Sequence, residues 1–147
     1  MQNPIQYLEN NFEKFLDELK DYSRIQSVSF EGYSTHTLEE SAQWTAQKMK
    51  SIGLENVQIL KIPHTHPYIY GEWMQAPGKP ILLLYGHHDV QPPGRHELWK
   101  SPSFEPTLRE DGRLYGRGVA DDKAGVMMHL VSSIGEKPVN QDHGLHS

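Results

Sequence analysis

The stretch Ile81-Leu82-Leu83-Leu84-Tyr85-Gly86-His87-His88-Asp89 decides the fold class that the sequence predicts. Its first five residues are all apolar, which is typical of a strand in the middle of a sheet with both faces covered. Helical patterns lie before and after this strand, so the sequence predicts an α/β domain. The polar residues at its end predict a binding site, because ligands bind at the carboxyl ends of strands in open α/β sheets.

Two amphipathic helices are predicted before this strand. Apolar residues at steps of three and four indicate one helix over residues 4–22 and another over residues 38–52. Thr37 and Glu40 form a capping-box pattern at the start of the second helix. Gly53 suits the position just after its end.

The remaining segments are shorter. Strands are predicted over residues 57–62 and 68–74, and a hairpin over residues 107–115. A third helix is predicted from Asp122 to just before Gly135. The order of helices and strands favours one α/β domain.

Composition restricts the partners and the compartment. The 147 residues carry a net charge of −5 and include no cysteine. An acidic chain without a basic stripe is not expected to bind nucleic acid, and its apolar runs are too short to enter a membrane. The missing cysteines exclude disulfides and thiolate metal ligands, and the sequence begins without a signal-like segment. We therefore expect a cytoplasmic protein.

His87 and Asp89 are candidates for a metal site. Residues two apart in an extended chain lie on one face, so these two side chains share a face and His88 lies on the other. A neutral imidazole is a common zinc ligand, and a neighbouring carboxylate can orient the ring. The same spacing also fits a polar strand end whose side chains bond only to backbone groups, so both interpretations stay open.

A pair of carboxylates, Asp121 and Asp122, follows the turn Gly116-Arg117-Gly118. One aspartate can cap the third helix, which is an ordinary role for this residue type. The other can project outward, and a carboxylate can bridge two divalent ions. A dinucleotide site is not expected, because Asp121 occupies the third glycine position of that motif and the segment follows a hairpin. A serine nucleophile is not expected either, since no Gly-x-Ser-x-Gly is present.

Together the two motifs resemble the M20 family of dinuclear zinc metallopeptidases, which includes aminoacylases, deacetylases, glutamate-releasing carboxypeptidases and carnosinase-type dipeptidases. The resemblance is carried by Leu84–Pro92, by Trp99 with Phe104-Glu105-Pro106, and by Asp111–Lys123. Gly71-Glu72-Trp73 is most similar to the dipeptidase branch. The resemblance implies the N-terminal part of a zinc-peptidase-like three-layer domain, with a mixed, mostly parallel central sheet flanked by helices.

The resemblance also implies roles for three residues. His87 would be a ligand of one metal ion, Asp121 would bridge two ions, and Asp89 would be the catalytic residue that orients His87. The cofactor would be two zinc ions, with cobalt or manganese as alternatives. The implied reaction is metal-assisted hydrolysis of peptide or N-acyl amide bonds in a small peptide substrate. The family's cis peptide bond would lie between Asp121 and Asp122.

Other parts of the family pattern have no match in this sequence. The glutamate pair that carries the general base is absent, since Glu136 stands alone after the third helix. Zinc enzymes generally use three protein ligands, and the motifs supply only His87 and Asp121. We therefore expect residues 1–135 to be a truncated N-terminal part of an M20-type catalytic domain, residues 136–147 to be a disordered or non-homologous tail, and the isolated chain to be inactive. The alternative is a non-catalytic half-enzyme that pairs with a complementing C-terminal chain.

Overall fold

The computed structural model describes residues 3–134. The helices in this range are α1 (Pro4–Arg24), α2 (His36–Ser51) and α3 (Ala124–Ile134). The strands are β1 (Glu55–Leu60), β2 (Tyr68–Glu72), β3 (Thr107–Leu108) and β4 (Leu114–Tyr115). A 3₁₀ turn covers His96–Leu98, and an irregular turn over Val119–Lys123 leads into α3. None of the helices between residues 3 and 134 has the length and apolar content that crossing a membrane requires. The predicted tail, residues 136–147, lies outside the described range.

Helix α1 begins where the sequence predicts and extends two residues further. The side chain of Asn3 accepts a hydrogen bond from the backbone nitrogen of Ile5 at 2.9 Å, and Pro4 occupies the first turn. The helix buries Phe15 and Tyr22, whereas Ile5 and Phe12 are exposed. The apolar stripe of α1 is therefore covered only towards its C-terminal end.

Helix α2 begins earlier than its sequence predicts. Thr35 occupies the N-cap position and makes no side-chain cap. Thr37 lies inside the first turn, and its hydroxyl donates to the backbone oxygen of Ser34 at 2.9 Å. The predicted capping box was therefore wrong, because Thr37 bonds backwards rather than to a helix amide. The predicted end is confirmed, since Gly53 follows the helix with a φ of +76°.

The core lies where the three helices meet. The ring of Tyr22 stacks on Trp44 with the ring centres 4.2 Å apart and the planes inclined by 10°. The Tyr22 hydroxyl and the Thr45 hydroxyl are 2.8 Å apart, so this buried phenol has a hydrogen-bond partner. The buried residues around the Tyr22 ring come from α3 and are Val126, Met127 and Leu130. These three residues form the buried face of α3.

The strands form two separate antiparallel pairs. β1 pairs with β2, and β3 pairs with β4 across a turn in which Gly112 has a φ of +73°. The pairing of β3 with β4 confirms the predicted hairpin, and β1 and β2 overlap the strands predicted over residues 57–62 and 68–74. Parallel pairing within residues 3–134 is limited to one isolated bridge, between Val28 and Val90. The predicted mostly parallel central sheet is therefore not found in the described part of the chain.

The largest departure from prediction is at residues 81–85. The sequence predicts a central strand here, yet this run belongs to no strand, and Ile81, Leu82 and Leu83 are 76%, 80% and 85% exposed. A central strand needs neighbours for its backbone groups and a covering layer on each face. The described residues provide no paired strand and no covering layer, so the prediction of a buried strand was wrong for this range.

We expect this exposed run to make the protein self-associate. Five consecutive apolar residues that pair with no described strand are the kind of segment that associates edge to edge with another chain. Leu83→Lys should shift the protein towards monomer in sedimentation velocity over a range of concentrations. Leu98→Lys, at another exposed leucine, is the control and should change little. A wild-type protein that stays monomeric at every concentration would contradict the expectation.

Candidate metal site

Two distant segments meet at the candidate site. Residues 86–90 lie beside the turn Val119–Lys123, and Nε2 of His87 is 3.0 Å from Oδ1 of Asp121. The two residues are 34 positions apart in the sequence. The structure therefore brings together the two side chains that the sequence assigns to one site. Their roles as metal ligands remain predictions.

The other nitrogen of the His87 ring faces Asp89. Nδ1 lies 3.0 Å from the backbone oxygen of Asp89 and 3.2 Å from its Oδ1. A backbone oxygen can only accept a hydrogen bond, and so can an ionised carboxylate. Nδ1 therefore carries the proton in this arrangement. The expected contact between Asp89 and His87 is present, and it leaves Nε2 facing Asp121.

The segment after α1 holds residues 88–90 in place, through contacts that the sequence pattern does not predict. The hydroxyl of Ser29 donates to Oδ2 of Asp89. The hydroxyl of Ser27 donates to the backbone oxygen of His88 at 2.6 Å. The backbone nitrogen of Val90 donates to the oxygen of Ser27 at 2.8 Å, and that of Ser29 donates to the oxygen of Val90 at 3.2 Å. Residues 27–29 therefore fix both the backbone and the carboxylate next to His87.

The two neighbouring aspartates have different contacts. Oδ2 of Asp122 accepts a hydrogen bond from the backbone nitrogen of His87 at 3.2 Å, whereas the Asp121 side chain is 82% exposed. The peptide bond between them is cis, as the family resemblance implies. A Cβ added at Gly86 would lie 3.2 Å from Oδ2 of Asp122, and one at Gly125 would lie 2.0 Å from its Oδ1. Asp122 is therefore packed into the structure, whereas the Asp121 side chain is exposed and contacts His87 Nε2.

Lys123 connects the same turn to the end of α1. Its side chain is fully buried, and Nζ donates to the backbone oxygens of Tyr22 at 2.9 Å and Ile25 at 2.7 Å. Nζ also lies 4.7 Å from the centre of the Tyr22 ring. Each of these oxygens also accepts from a main-chain nitrogen, that of Ile25 or Ser27, so Lys123 adds a second donor to both. Burial lowers the pKa of Lys123 to about 7.

The site has a mixed electrostatic environment. Burial on its own would lower the pKa of His87, but its hydrogen bonds and attraction to Asp89 and Asp121 raise that pKa overall. Burial would raise the pKa of Asp89, but the Ser29 hydroxyl and the nearby His87 lower it overall. Asp89 is therefore held in its ionised form, which is the form that accepts the His87 proton.

His88 lies outside this arrangement. Its Nε2 is 3.0 Å from the backbone oxygen of Pro67, and its Nδ1 is buried without a hydrogen-bond partner. Burial lowers the pKa of His88. These contacts agree with the expectation that His88 lies on the face opposite His87 and Asp89.

His87 Nε2 and Asp121 Oδ1 together fit part of a cation-binding site. Because Nδ1 of His87 donates to Asp89, Nε2 of a neutral ring is an acceptor that faces a second acceptor, Asp121 Oδ1, at 3.0 Å. Such a pair needs a positive charge, either a proton on Nε2 or a shared cation. Two ligand atoms on one tetrahedral zinc ion lie about 3.3 Å apart, which is close to this separation. Among residues 3–134 no group of three His, Asp or Glu side chains is arranged to hold a metal ion.

Comparison with known proteins identifies the family to which this chain is similar. Residues 83–142 match the family model described as peptidase family M20/M25/M40. The chain is 33% identical over 120 residues to a cysteinylglycine-S-conjugate dipeptidase of Corynebacterium striatum, covering 82% of this chain and 26% of that protein. The chain belongs to the M20 peptidase family. The predicted family resemblance, including its dipeptidase branch, is confirmed.

Other relatives of this M20 chain are named for different activities. It is 54% identical over 56 residues to succinyl-diaminopimelate desuccinylase of Xanthomonas oryzae pv. oryzae, covering 38% of this chain and 15% of that protein. Its structure is similar to human carnosine dipeptidase 1, with a TM-score of 0.78 and 27% identity over 88% of this chain and 30% of that one. This similarity is consistent with a zinc-peptidase-like domain, although the predicted mostly parallel sheet is not found among residues 3–134. The M20 chain spans only 15% and 26% of the two curated relatives' lengths.

Proposed function

We propose that this M20 chain carries part of a metal site for the hydrolysis of peptide or N-acyl amide bonds in small, dipeptide-like substrates. The observation that carries the proposal is the approach of His87 Nε2 to Asp121 Oδ1 at 3.0 Å. The M20 family and the relatives named as dipeptidases support the reaction class.

Each residue of the site has a separate task in this proposal. His87 and Asp121 would hold zinc, with cobalt or manganese as alternatives, and Asp121 would bridge two ions. Bound ions of this kind acidify a water molecule and polarise the scissile carbonyl. Asp89 keeps a proton on Nδ1 of His87, so that the lone pair on Nε2 stays available. Asp122 holds the turn Val119–Lys123 next to His87, because its carboxylate accepts a hydrogen bond from the His87 backbone nitrogen.

We also propose that the isolated chain does not turn over substrate. A zinc enzyme generally needs three protein ligands, and His87 and Asp121 are only two. The described residues contain no group of three such side chains. The remaining ligands and the general base would have to come from elsewhere.

The full chain should bind Zn²⁺ through His87 and should show no metal-dependent cleavage of small dipeptides. In an NMR titration with Zn²⁺, the His87 ring signals should respond first. His87→Ala and Asp121→Asn should each weaken this binding by about tenfold or more, because each removes a direct ligand.

His96→Ala, which removes an exposed histidine outside the site, is the matched control and should leave the Zn²⁺ affinity unchanged. Zn²⁺ that binds other histidines while His87 is unaffected would contradict the metal site. Turnover of dipeptides with Zn²⁺ or Mn²⁺ would contradict the proposed incompleteness.

A second candidate is a half-enzyme that works with a complementing chain. The exposed apolar run at residues 81–85 favours it, because this run lies directly before His87 and leaves both faces open. Mixing the chain with a polypeptide that covers the remaining part of the C. striatum dipeptidase should then produce metal-dependent turnover. Absence of both association and turnover would contradict this candidate.

A further inference from the structure

We propose that Ser29 is a positioning residue that fixes the His87 ring through Asp89. The inference rests on the proposed function in one respect, which is that His87 serves as a metal ligand through Nε2. It adds a residue that lies 58 positions before His87 and contacts neither the ring nor Asp121 in the described hydrogen bonds.

The contacts form one continuous series. The hydroxyl of Ser29 donates to Oδ2 of Asp89. Oδ1 of the same carboxylate lies 3.2 Å from Nδ1 of His87, and Nε2 of that ring lies 3.0 Å from Asp121 Oδ1. Since Ser29 occupies Oδ2, the other oxygen of Asp89 is left to face the ring.

The position of Ser29 is itself set by the backbone. Its nitrogen donates to the oxygen of Val90 at 3.2 Å, inside the parallel bridge between Val28 and Val90. Both valines are buried, and Lys123 holds the chain four residues earlier through the oxygen of Ile25. The hydroxyl therefore approaches Asp89 from a fixed point.

The ring proton of a neutral His87 has two competing acceptors. Asp89 offers oxygens to Nδ1, and Asp121 offers an oxygen to Nε2. Only the form protonated on Nδ1 leaves a lone pair on Nε2 for a metal ion. By holding Asp89 against Nδ1, Ser29 favours this tautomer.

The test measures the tautomer of His87 in the full chain without metal. Long-range ¹H–¹⁵N correlation spectra of the histidine rings, at a pH where His87 is neutral, report which nitrogen carries the proton. The Nδ1–H form should predominate in the wild type. Ser29→Ala should change the tautomer ratio by at least about threefold towards Nε2–H, the effect of losing one hydrogen bond.

Two further variants separate positioning from general loosening. Ser29→Thr keeps the hydroxyl and should restore the wild-type ratio. Thr45→Val removes a buried hydroxyl that bonds to the Tyr22 hydroxyl and to the Ser41 oxygen and not to Asp89 or His87. It should lower stability without changing the tautomer. An unchanged ratio in Ser29→Ala, or an equal change in Thr45→Val, would overturn the inference.

Zn²⁺ affinity is the second readout. Ser29→Ala should weaken Zn²⁺ binding by about tenfold, and Thr45→Val should not. If the wild type binds no Zn²⁺ while the tautomer still depends on Ser29, the proposed function fails and the positioning role stands. If Zn²⁺ binds through His87 but neither readout depends on Ser29, the positioning role fails alone.

Discussion

Gly118→Ala should destabilise the protein by about 2–5 kcal/mol, from backbone strain and overpacking together. Gly118 has a φ of +80°, and a Cβ placed there would lie 2.4 Å from Cγ1 of Val90. Val90 is buried and pairs with Val28, so its short branched side chain has no room to move away. The variant should show a lower midpoint in urea unfolding and a displaced segment next to His87.

Gly112→Ala is the matched control for this substitution. Gly112 has a similar φ of +73°, but a Cβ there would meet nothing within 4 Å. This variant should lose only about 1–2 kcal/mol, the cost of the left-handed backbone. Val90→Ala should partly rescue Gly118→Ala, because it removes the clashing methyl group. Equal losses in the two glycine variants would contradict the role of Val90.

Lys123→Ala should cost about 2–4 kcal/mol of folding free energy, from a buried cavity and lost hydrogen bonds. The backbone oxygens of Tyr22 and Ile25 would each keep one main-chain donor, from Ile25 and Ser27 respectively. The loss should therefore come mainly from the empty space that the side chain leaves in the core. Chemical denaturation of the wild type and the variant measures it.

Lys123→Met is the control, because methionine fills much of the space but cannot donate. Its loss should be smaller than that of Lys123→Ala and should depend on pH. Burial lowers the pKa of Lys123 from 10.5 to about 7. Between these values the unfolded chain binds a proton that the folded chain does not.

Wild-type stability should rise with pH from 7 towards 10 relative to Lys123→Met, by up to about 1.4 kcal/mol per unit, and this gain is lost as the pH falls back to 7. A difference between wild type and Lys123→Met that is constant over this range would contradict the depressed pKa of Lys123.

Local patterns predict much of the secondary structure in this chain. Helices α1 and α2 follow from apolar residues at steps of three and four, and the β3–β4 hairpin follows from Asp111-Gly112. The start of α2 is harder to predict, because Ser34, Thr35 and Thr37 all suit a helix N-terminus. The sequence pattern does not show which hydroxyl accepts a hydrogen bond from a backbone amide and which donates one to a backbone carbonyl.

The apolar run at residues 81–85 shows why burial is not a local property. Its composition predicts a strand covered on both faces, and that prediction depends on partners elsewhere in the fold. Among residues 3–134 no strand pairs with this run, and its side chains remain exposed. The pattern indicates that the run requires neighbouring strands and covering layers, and it does not indicate whether the rest of the chain supplies them.

The candidate site was predicted in part. The approach of His87 to Asp121 follows from a strand end and a helix start with suitable side chains. The contributions of Ser29 and Lys123 were missed, because their contacts join residues 60 and 98–101 positions apart. A serine after a helix and a lysine after two aspartates carry no pattern that indicates such distant partners.

The bonds from Lys123 back to the end of α1 set an order of events during protein synthesis. Ribosomes add about 5–20 residues per second, so roughly 5–20 s separate the making of Tyr22 from that of Lys123. Throughout that interval the oxygens of Tyr22 and Ile25 have only their main-chain donors, from Ile25 and Ser27. The second donor to both oxygens arrives only when the turn before α3 has left the exit tunnel.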